Sequence, residues 1–404
     1  MNRTVDVLVV GAGPAGLAAA ARLAAAGAGA GRVEVLERER AAGGAPRHCA
    51  RPGFGADALG RPLDGPAYAR RAVRAALRAG ATVRTGVSVT GWAGPLTLDV
   101  TAPTGLERVR ARAVVLATGA RERPRSARLV PGSRPAGVLT TGELQRTVLR
   151  FGSRAEYIGR RAVVVGGDEP VTRGAVRTLR AAGVEVAAVV SELAVRRGAL
   201  GSLPVLGGTV VTEVVGRGRP SGVAIRGEDG RTATLRCDTV VFTGDWIPDH
   251  ELARARGLQL APGTRGPATD GAFRTAEPGV FAVGNLLRGV EPARAAAAEG
   301  RAAAVTVLDR LAGRPWPVGR VPVETEGPLR WVSPALLGPE AVPLLVRPER
   351  RLVRPVLTVA QDGVPLHRER LGGSPAPGRS LRLPPRWTSG VDPAGGPVVV
   401  SAAE

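Results

Sequence analysis

The sequence predicts an α/β chain of two Rossmann-like, three-layer domains, followed by a small β-rich appendix. Three observations predict it. A strand, glycine turn, helix and strand follow one another from Val5 to Leu36, and the same order returns from Arg161 to Val190. After Val321 the pattern changes to short β-branched runs separated by Pro and Gly. Repeated strand–helix–strand units imply parallel sheets covered by helices, whereas the short runs imply a small β-rich region.

Composition sets the bounds. At about 150 residues per domain, 404 residues correspond to two or three domains. Hydrophobic residues are 44% and charged residues 23%, near the globular average, which excludes wholesale disorder and fibrous repeats despite 56 Gly and 34 Pro. Two cysteines cannot build a disulfide scaffold, an all-cysteine zinc site or a self-contained iron–sulfur cluster, so a reducing, cytoplasmic setting is expected. The 56 basic residues exceed the 35 acidic ones to give +21, but every basic residue is Arg and they are spread along the chain. With aromatics at 3% there are few platforms for stacking bases, and no nucleic-acid partner is expected. The apolar N-terminal stretch is interrupted by Gly13, Pro14 and Arg22 before it reaches the roughly 20 residues of a membrane span, and it does not fit a signal peptide. Neither is expected.

The first unit carries the sharpest motif. Val5 to Val10 form a buried strand, Gly11, Gly13 and Gly16 a tight turn, and Ala15 to Ala26 a helix. Gly11 permits the turn, Gly13 lets the backbone approach a pyrophosphate, and Gly16 lets helix and sheet pack closely; the helix N-terminus attracts the diphosphate charge. The next strand, Val33 to Leu36, ends at Glu37, placed to accept ribose hydroxyls and to repel a 2′-phosphate. Two distant segments, Val114 to Ala120 and Gly279 to Asn285, read as further buried strands ending in small, glycine-containing loops.

In this order of motifs, over residues 1 to about 312, the chain resembles the two-dinucleotide-domain flavoproteins related to pyridine nucleotide-disulfide oxidoreductases. The resemblance implies domains of the FAD/NAD(P)-binding type and FAD as cofactor. It implies cofactor-binding roles for Gly11, Gly13, Pro14, Ala15, Gly16, Glu37, Arg38, Gly44, Val89, Ala117, Thr118, Gly119, Gly284, Asn285 and Glu291. Asn285 stands where the family has an Asp that holds the ribityl chain; its amide oxygen can still accept a hydroxyl hydrogen bond. Glu291-Pro292-Ala293 opens a helix from Ala293 to Leu311 whose N-terminus the resemblance places under the flavin pyrimidine edge, and Glu299-Gly300-Arg301 is also family-like. A narrower resemblance, carried by Gly43-Gly44, Cys49, Gly53-Phe54-Gly55 and Leu63 to Arg70, is to FAD-bearing α-type subunits that accompany amine, opine or glycerol-3-phosphate oxidases and dehydrogenases.

The second unit has lost part of its motif. After Arg161 to Val165 come Gly166, Gly167, Asp168, Glu169, Pro170 and bulky Val171, and two carboxylates at the mouth of the turn would repel a pyrophosphate. The fold is expected to persist with NAD(P)H binding doubtful, although Arg173, Arg196 and Arg197 could serve a phosphate. The stretch from Cys237 to Pro248 reads as a buried strand that should return the chain to the first domain, with Cys237 an inert core thiol.

Cys49 lies where disulfide reductases of the family carry paired cysteines, and no second cysteine is near it. A dithiol relay to a disulfide substrate is therefore excluded. With Arg47 and His48 beside it, Cys49 is a candidate catalytic thiol; a packed structural thiol is the other reading.

The expected organisation is a discontinuous FAD-binding domain at 1–125 and 264–318, an NAD(P)-binding-like domain at 135–263 and the β-rich region at 319–404. A helix between Gly65 and Gly80 and a small meander between Thr82 and Val109 complete the first domain. His48, His250 and His367 are too dispersed to form a metal site, and none is expected. The function expected is an FAD-dependent dehydrogenase or electron-transfer component acting with partner subunits on a small molecule, with any iron–sulfur relay on another polypeptide. Two alternatives stand beside it: an NAD(P)H-dependent flavin reductase with a single active Cys, and a non-catalytic FAD-binding scaffold.

Overall fold

The computed structural model describes the whole chain except residue 1, residues 28–30, residue 58, residues 168–169, residues 194–199 and residue 290. Its contacts divide the chain into two compact units, one of residues 1–47, 51–120 and 248–404, the other of 48–50 and 121–247. The chain thus returns to the first unit at Pro248, upstream of the boundary at 264 expected from sequence, and the β-rich C-terminal region clusters with that unit.

The first unit is built on a five-stranded parallel sheet in the order Val280–Ala282, Ala113–Leu116, Val7–Val10, Val33–Glu37, Thr82–Thr85. Val7, Leu8, Val9, Val114 and Val115 are fully buried, as parallel strands covered on both faces must be. Thr82–Thr85 is the edge strand of this sheet and not the start of the meander; it follows the helix Gly65–Arg78, which makes it the return strand of a β–α–β crossover. The meander itself is Ser88–Gly94, Thr97–Ala102 and Gly105–Arg110, joined by a short parallel strand, Asn2–Thr4.

Two alanine-rich helices, Pro14–Ala24 and Ala293–Leu311, pack face to face on the sheet, with Ala15, Ala19, Ala20, Ala296, Ala303 and Ala304 buried. Small side chains let the helix axes approach closely. Pro14 opens the first helix at a position where a missing N–H costs nothing.

The second unit repeats the plan. Its parallel sheet runs Val138–Thr140, Thr239–Phe242, Arg161–Val165, Glu185–Val190, Val205–Leu206, and a three-stranded antiparallel sheet spans Thr209–Arg236. Helix Thr141–Phe151 begins with a capping box between Thr140 and Glu143.

Residues 321–403 form two β-sheets around a separate core that includes Val321, Leu344, Val346, Leu357, Val359 and Val398. The fold class is therefore α/β with two dinucleotide-binding-type domains and a β-rich C-terminal region, as the sequence patterns predict.

Candidate cofactor site

In the first unit the three glycine-bearing loops meet at the C-terminal ends of adjacent parallel strands, where open α/β sheets bind ligands. Gly11 has φ +103°, and a Cβ there would lie 2.4 Å from the Ala117 carbonyl oxygen, so only glycine permits the turn against the Ala117 strand end. Ala117 itself is anchored by its N–H to the Val10 carbonyl at 2.8 Å. A Cβ on Gly16 would fall 2.0 Å from the Gly11 carbonyl oxygen, and one on Gly44 would fall 2.8 Å from Gly13 Cα. Gly284 closes the circle: its Cβ would meet the Ala15 Cβ at 2.7 Å and the Ala296 Cβ at 3.6 Å. By contrast, a Cβ on Gly13 or on Gly119 would meet nothing within 4 Å. The packed glycines shape a cradle, and these two line its open side. That space suits a group approaching the backbone, which is the fit a dinucleotide pyrophosphate requires.

Glu37 is buried, and both its oxygens are engaged by backbone, one accepting the Ala12 N–H at 3.0 Å and the other the Glu39 N–H at 2.9 Å. Each carboxylate oxygen retains a further lone pair for a hydroxyl donor. Arg38 pairs with Asp249 at 3.1 Å, while the Thr118 hydroxyl donates to the Asp249 carbonyl at 2.7 Å and the Asp249 N–H to the Gly119 carbonyl at 2.9 Å. Asp249 thus fixes the Thr118-Gly119 loop; sequence reasoning missed it because no local motif marks it. Val89 lies in the meander strand Ser88–Gly94 and packs, half-buried, on the adjoining core.

The Gly284-Asn285 loop is held from two sides. The Asn285 amide oxygen accepts the Glu291 N–H at 3.1 Å, and its NH2 donates to the Glu291 carbonyl at 3.4 Å. Glu299 accepts the Gly284 N–H at 3.0 Å with one oxygen and pairs with Arg288 through the other. Burial pushes the Glu299 carboxyl above the usual range, and the Arg288 guanidinium opposes that shift. The glutamate of Glu299-Gly300-Arg301 is therefore a buried loop anchor. The Glu291 carboxylate turns to Arg347 and Ser380 of the C-terminal region, at 3.2 and 3.0 Å.

Cys49 groups with the second unit, where its Sγ–H donates to Gln145 Oε1 at 3.2 Å. Arg47 directs its guanidinium to the Ala41 carbonyl and the Glu39 carboxylate. Cys237 is buried, and burial pushes its thiol up to about 11, as an inert core cysteine requires.

The second glycine turn starts at Gly166, whose N–H bonds the Val190 carbonyl at 2.9 Å and whose Cβ would fall 1.8 Å from Thr243 Oγ1. Behind it Thr172 and Thr243 share a buried hydroxyl contact of 2.8 Å. Asp168 and Glu169, expected from sequence to repel a pyrophosphate, lie outside the described residues, as do Arg196 and Arg197. Nearby, Glu122 caps two backbone amides, those of Gly142 at 2.8 Å and Gly244 at 3.3 Å, and burial raises its carboxyl. Among the described residues no helix is long and apolar enough to cross a membrane, and no group of three or more His, Cys, Asp or Glu side chains could hold a metal ion.

Among solved structures, the fold is similar to thioredoxin reductase from T. acidophilum, at 22% identity and a TM-score of 0.60 over 76% of this chain and 98% of that one. It is also similar to L-proline dehydrogenase from P. horikoshii, at 17% identity and a TM-score of 0.56 over 77% of this chain and 56% of that one. A NAD-dependent persulfide reductase from A. fulgidus matches over 90% of this chain and 68% of its own, at 19% identity and a TM-score of 0.58. At these identities the likeness is one of fold. No curated protein matches the sequence. The sequence profile of one family does, over residues 5–300, a span that takes in both glycine turns and the Gly284 loop. The chain belongs to the pyridine nucleotide-disulphide oxidoreductase family.

Proposed function

We propose that the chain binds FAD in the glycine cradle of the first unit and works as an oxidoreductase component with partner subunits, oxidising a small molecule. Members of the family typically bind FAD. The observation that carries the reading is the convergence of Gly11–Gly16, Ala117–Gly119 and Gly284–Asn285 on one strand-end crevice, with open space over Gly13 and Gly119. FAD supplies hydride and electron acceptance when bound. The chain's own part is to hold it: the N-terminus of helix Pro14–Ala24 offers its dipole to a pyrophosphate, Glu37 accepts from ribose hydroxyls, and Asn285 and Glu299 keep the Gly284 loop in place.

The partner claim is supported by what the cysteines do not offer. The chain has two, far apart in sequence, so it holds no Cys-x-x-Cys dithiol to relay electrons and no ligand set for a cluster. A second cofactor, if the reaction needs one, belongs to another chain. The narrower likeness to α-type subunits agrees with this.

Two measurements test the reading. Purified or FAD-reconstituted protein should be yellow with flavin absorbance; a chain that stays colourless after incubation with FAD refutes the cofactor claim. Anaerobic stopped-flow with NADH or NADPH alone should leave the flavin oxidised. Rapid bleaching would replace the partner-dependent reading with an NAD(P)H-dependent flavin reductase, and flavin that no partner or substrate reduces would favour a scaffold subunit.

A further inference from the structure

We propose that the C-terminal β region is a clamp on the cofactor loop, with Arg347 as a positioning residue that acts through Glu291. The proposal rests on the FAD reading for what the loop binds; the clamp itself rests on geometry. Between Gly284-Asn285 and the helix Ala293–Leu311 the chain carries Arg288 and Glu291, and both turn to the C-terminal strands. Arg347 Nη2 donates to the Glu291 carboxylate at 3.2 Å and to Ser380 Oγ at 2.9 Å, and the Ser380 hydroxyl donates to the same carboxylate oxygen at 3.0 Å. Arg288 Nη1 donates to Ser333 Oγ at 3.1 Å. The Arg347 guanidinium lies 4.8 Å over the Trp331 ring, which fixes its plane.

From these contacts two paths reach the loop. One runs from Arg347 to the Glu291 carboxylate and, across the covalent frame of Glu291, from its backbone N–H and carbonyl to Asn285; the other runs from Ser333 through Arg288 and Glu299 to the Gly284 N–H. The side chains of Arg288 and Arg347 are 5% and 9% exposed, those of Glu291 and Glu299 13% and 14%. Burying four charges is expensive, and apolar residues of similar volume would serve packing as well or better. The C-terminal sheets do not need the cluster for their own core, which is apolar and lies between residues 321 and 402. Its effect is to position Gly284, Asn285, Arg288 and Glu291, since charged, directional contacts hold each of them.

The test uses the full chain and the variants Arg347→Met, Glu291→Gln and Arg347→Lys. Two readouts are taken: amide hydrogen exchange of peptides covering residues 284–292 without cofactor, and FAD affinity from flavin fluorescence. Arg347→Met and Glu291→Gln should each speed exchange in that segment and weaken FAD binding by about tenfold, with the double variant no worse than the weaker single. Arg347→Lys, which keeps charge but not the planar fork or the stacking, should fall between. Unchanged exchange at 284–292 in both single variants overturns the clamp. So do shifts of opposite sign in FAD affinity, which mark a field effect of the two charges. Glu291→Gln preserves volume and carries the test if Arg347→Met does not fold. Should the parent chain bind no FAD, the cofactor reading falls, while the exchange measurement still decides the clamp.

Discussion

Gly300 meets Ala15 backbone to side: a Cβ on Gly300 would lie 2.0 Å from the Ala15 carbonyl oxygen and 3.1 Å from the Ala19 nitrogen. The long C-terminal helix of the first unit and the helix that opens the cofactor turn are therefore in backbone contact, and their spacing is set by a hydrogen atom. Gly300→Ala should cost about 3 kcal/mol, the upper end of overpacking, because the obstacle is main chain and cannot rotate away. Thermal unfolding followed by circular dichroism should show a Tm lower by about 4 to 5 °C; an unchanged Tm would mean that the helices are not in this contact.

Glu37 ties the first strand-end loop to the second. Its oxygens hold the Ala12 and Glu39 amides, so Glu37→Ala removes two charge-assisted bonds along with the acceptor offered to ribose. FAD affinity, titrated by fluorescence, should fall by about tenfold or more, equivalent to about 1.4 kcal/mol. Glu37→Gln retains an oxygen for one amide and should lose less.

The two cysteines should separate by reactivity. Burial pushes the Cys237 thiol up to about 11, and Cys49 is only partly buried. In native protein at about pH 8, an aromatic disulfide reagent should titrate Cys49 and leave Cys237 untouched until denaturant is added. Equal native rates would contradict the core position of Cys237. Cys49→Ser should leave reduction of the flavin by substrate or partner intact; loss of that step would make Cys49 catalytic.

Acid should weaken the first unit through Glu107. Arg84 donates to both its oxygens, at 3.0 and 2.7 Å, and this hydrogen bonding and charge hold the Glu107 carboxyl below 4.5. The unfolded chain then takes up the proton at higher pH than the folded one. The stabilisation is complete above 4.5 and is lost as pH falls from there through the folded value. Thermal melts over about pH 3 to 7 should show a flatter acid limb for Glu107→Gln than for the parent; identical limbs would remove Glu107 as a contributor.

Much of the site is legible in the sequence because its chemistry is local. Gly11, Gly13 and Gly16 sit within one turn, and the apolar runs at 7–10, 113–116 and 280–282 are continuous, as strands covered on both faces must be. Helix Ala293–Leu311 falls at the bounds its proline and alanine pattern predict. What escaped is held by long-range partners. Asp249 braces Thr118 and Gly119 from 130 residues downstream in sequence, roughly, and lies in an unremarkable stretch before a short helix. Glu299 looks like part of a solvated helix face until the fold brings Arg288 and the Gly284 amide onto it.

By itself the sequence determined the strand–turn–helix order, the positions where glycine alone fits and the absence of a cysteine pair, since each follows from the covalent chain and its local sterics. Only the tertiary structure decided that Thr82–Thr85 completes the parallel sheet, that Cys49 bonds Gln145, and that Arg347 and Ser380 close on Glu291. Those outcomes depend on which distant surfaces lose water against each other, and pairing between buried polar groups is fixed only once that packing is complete.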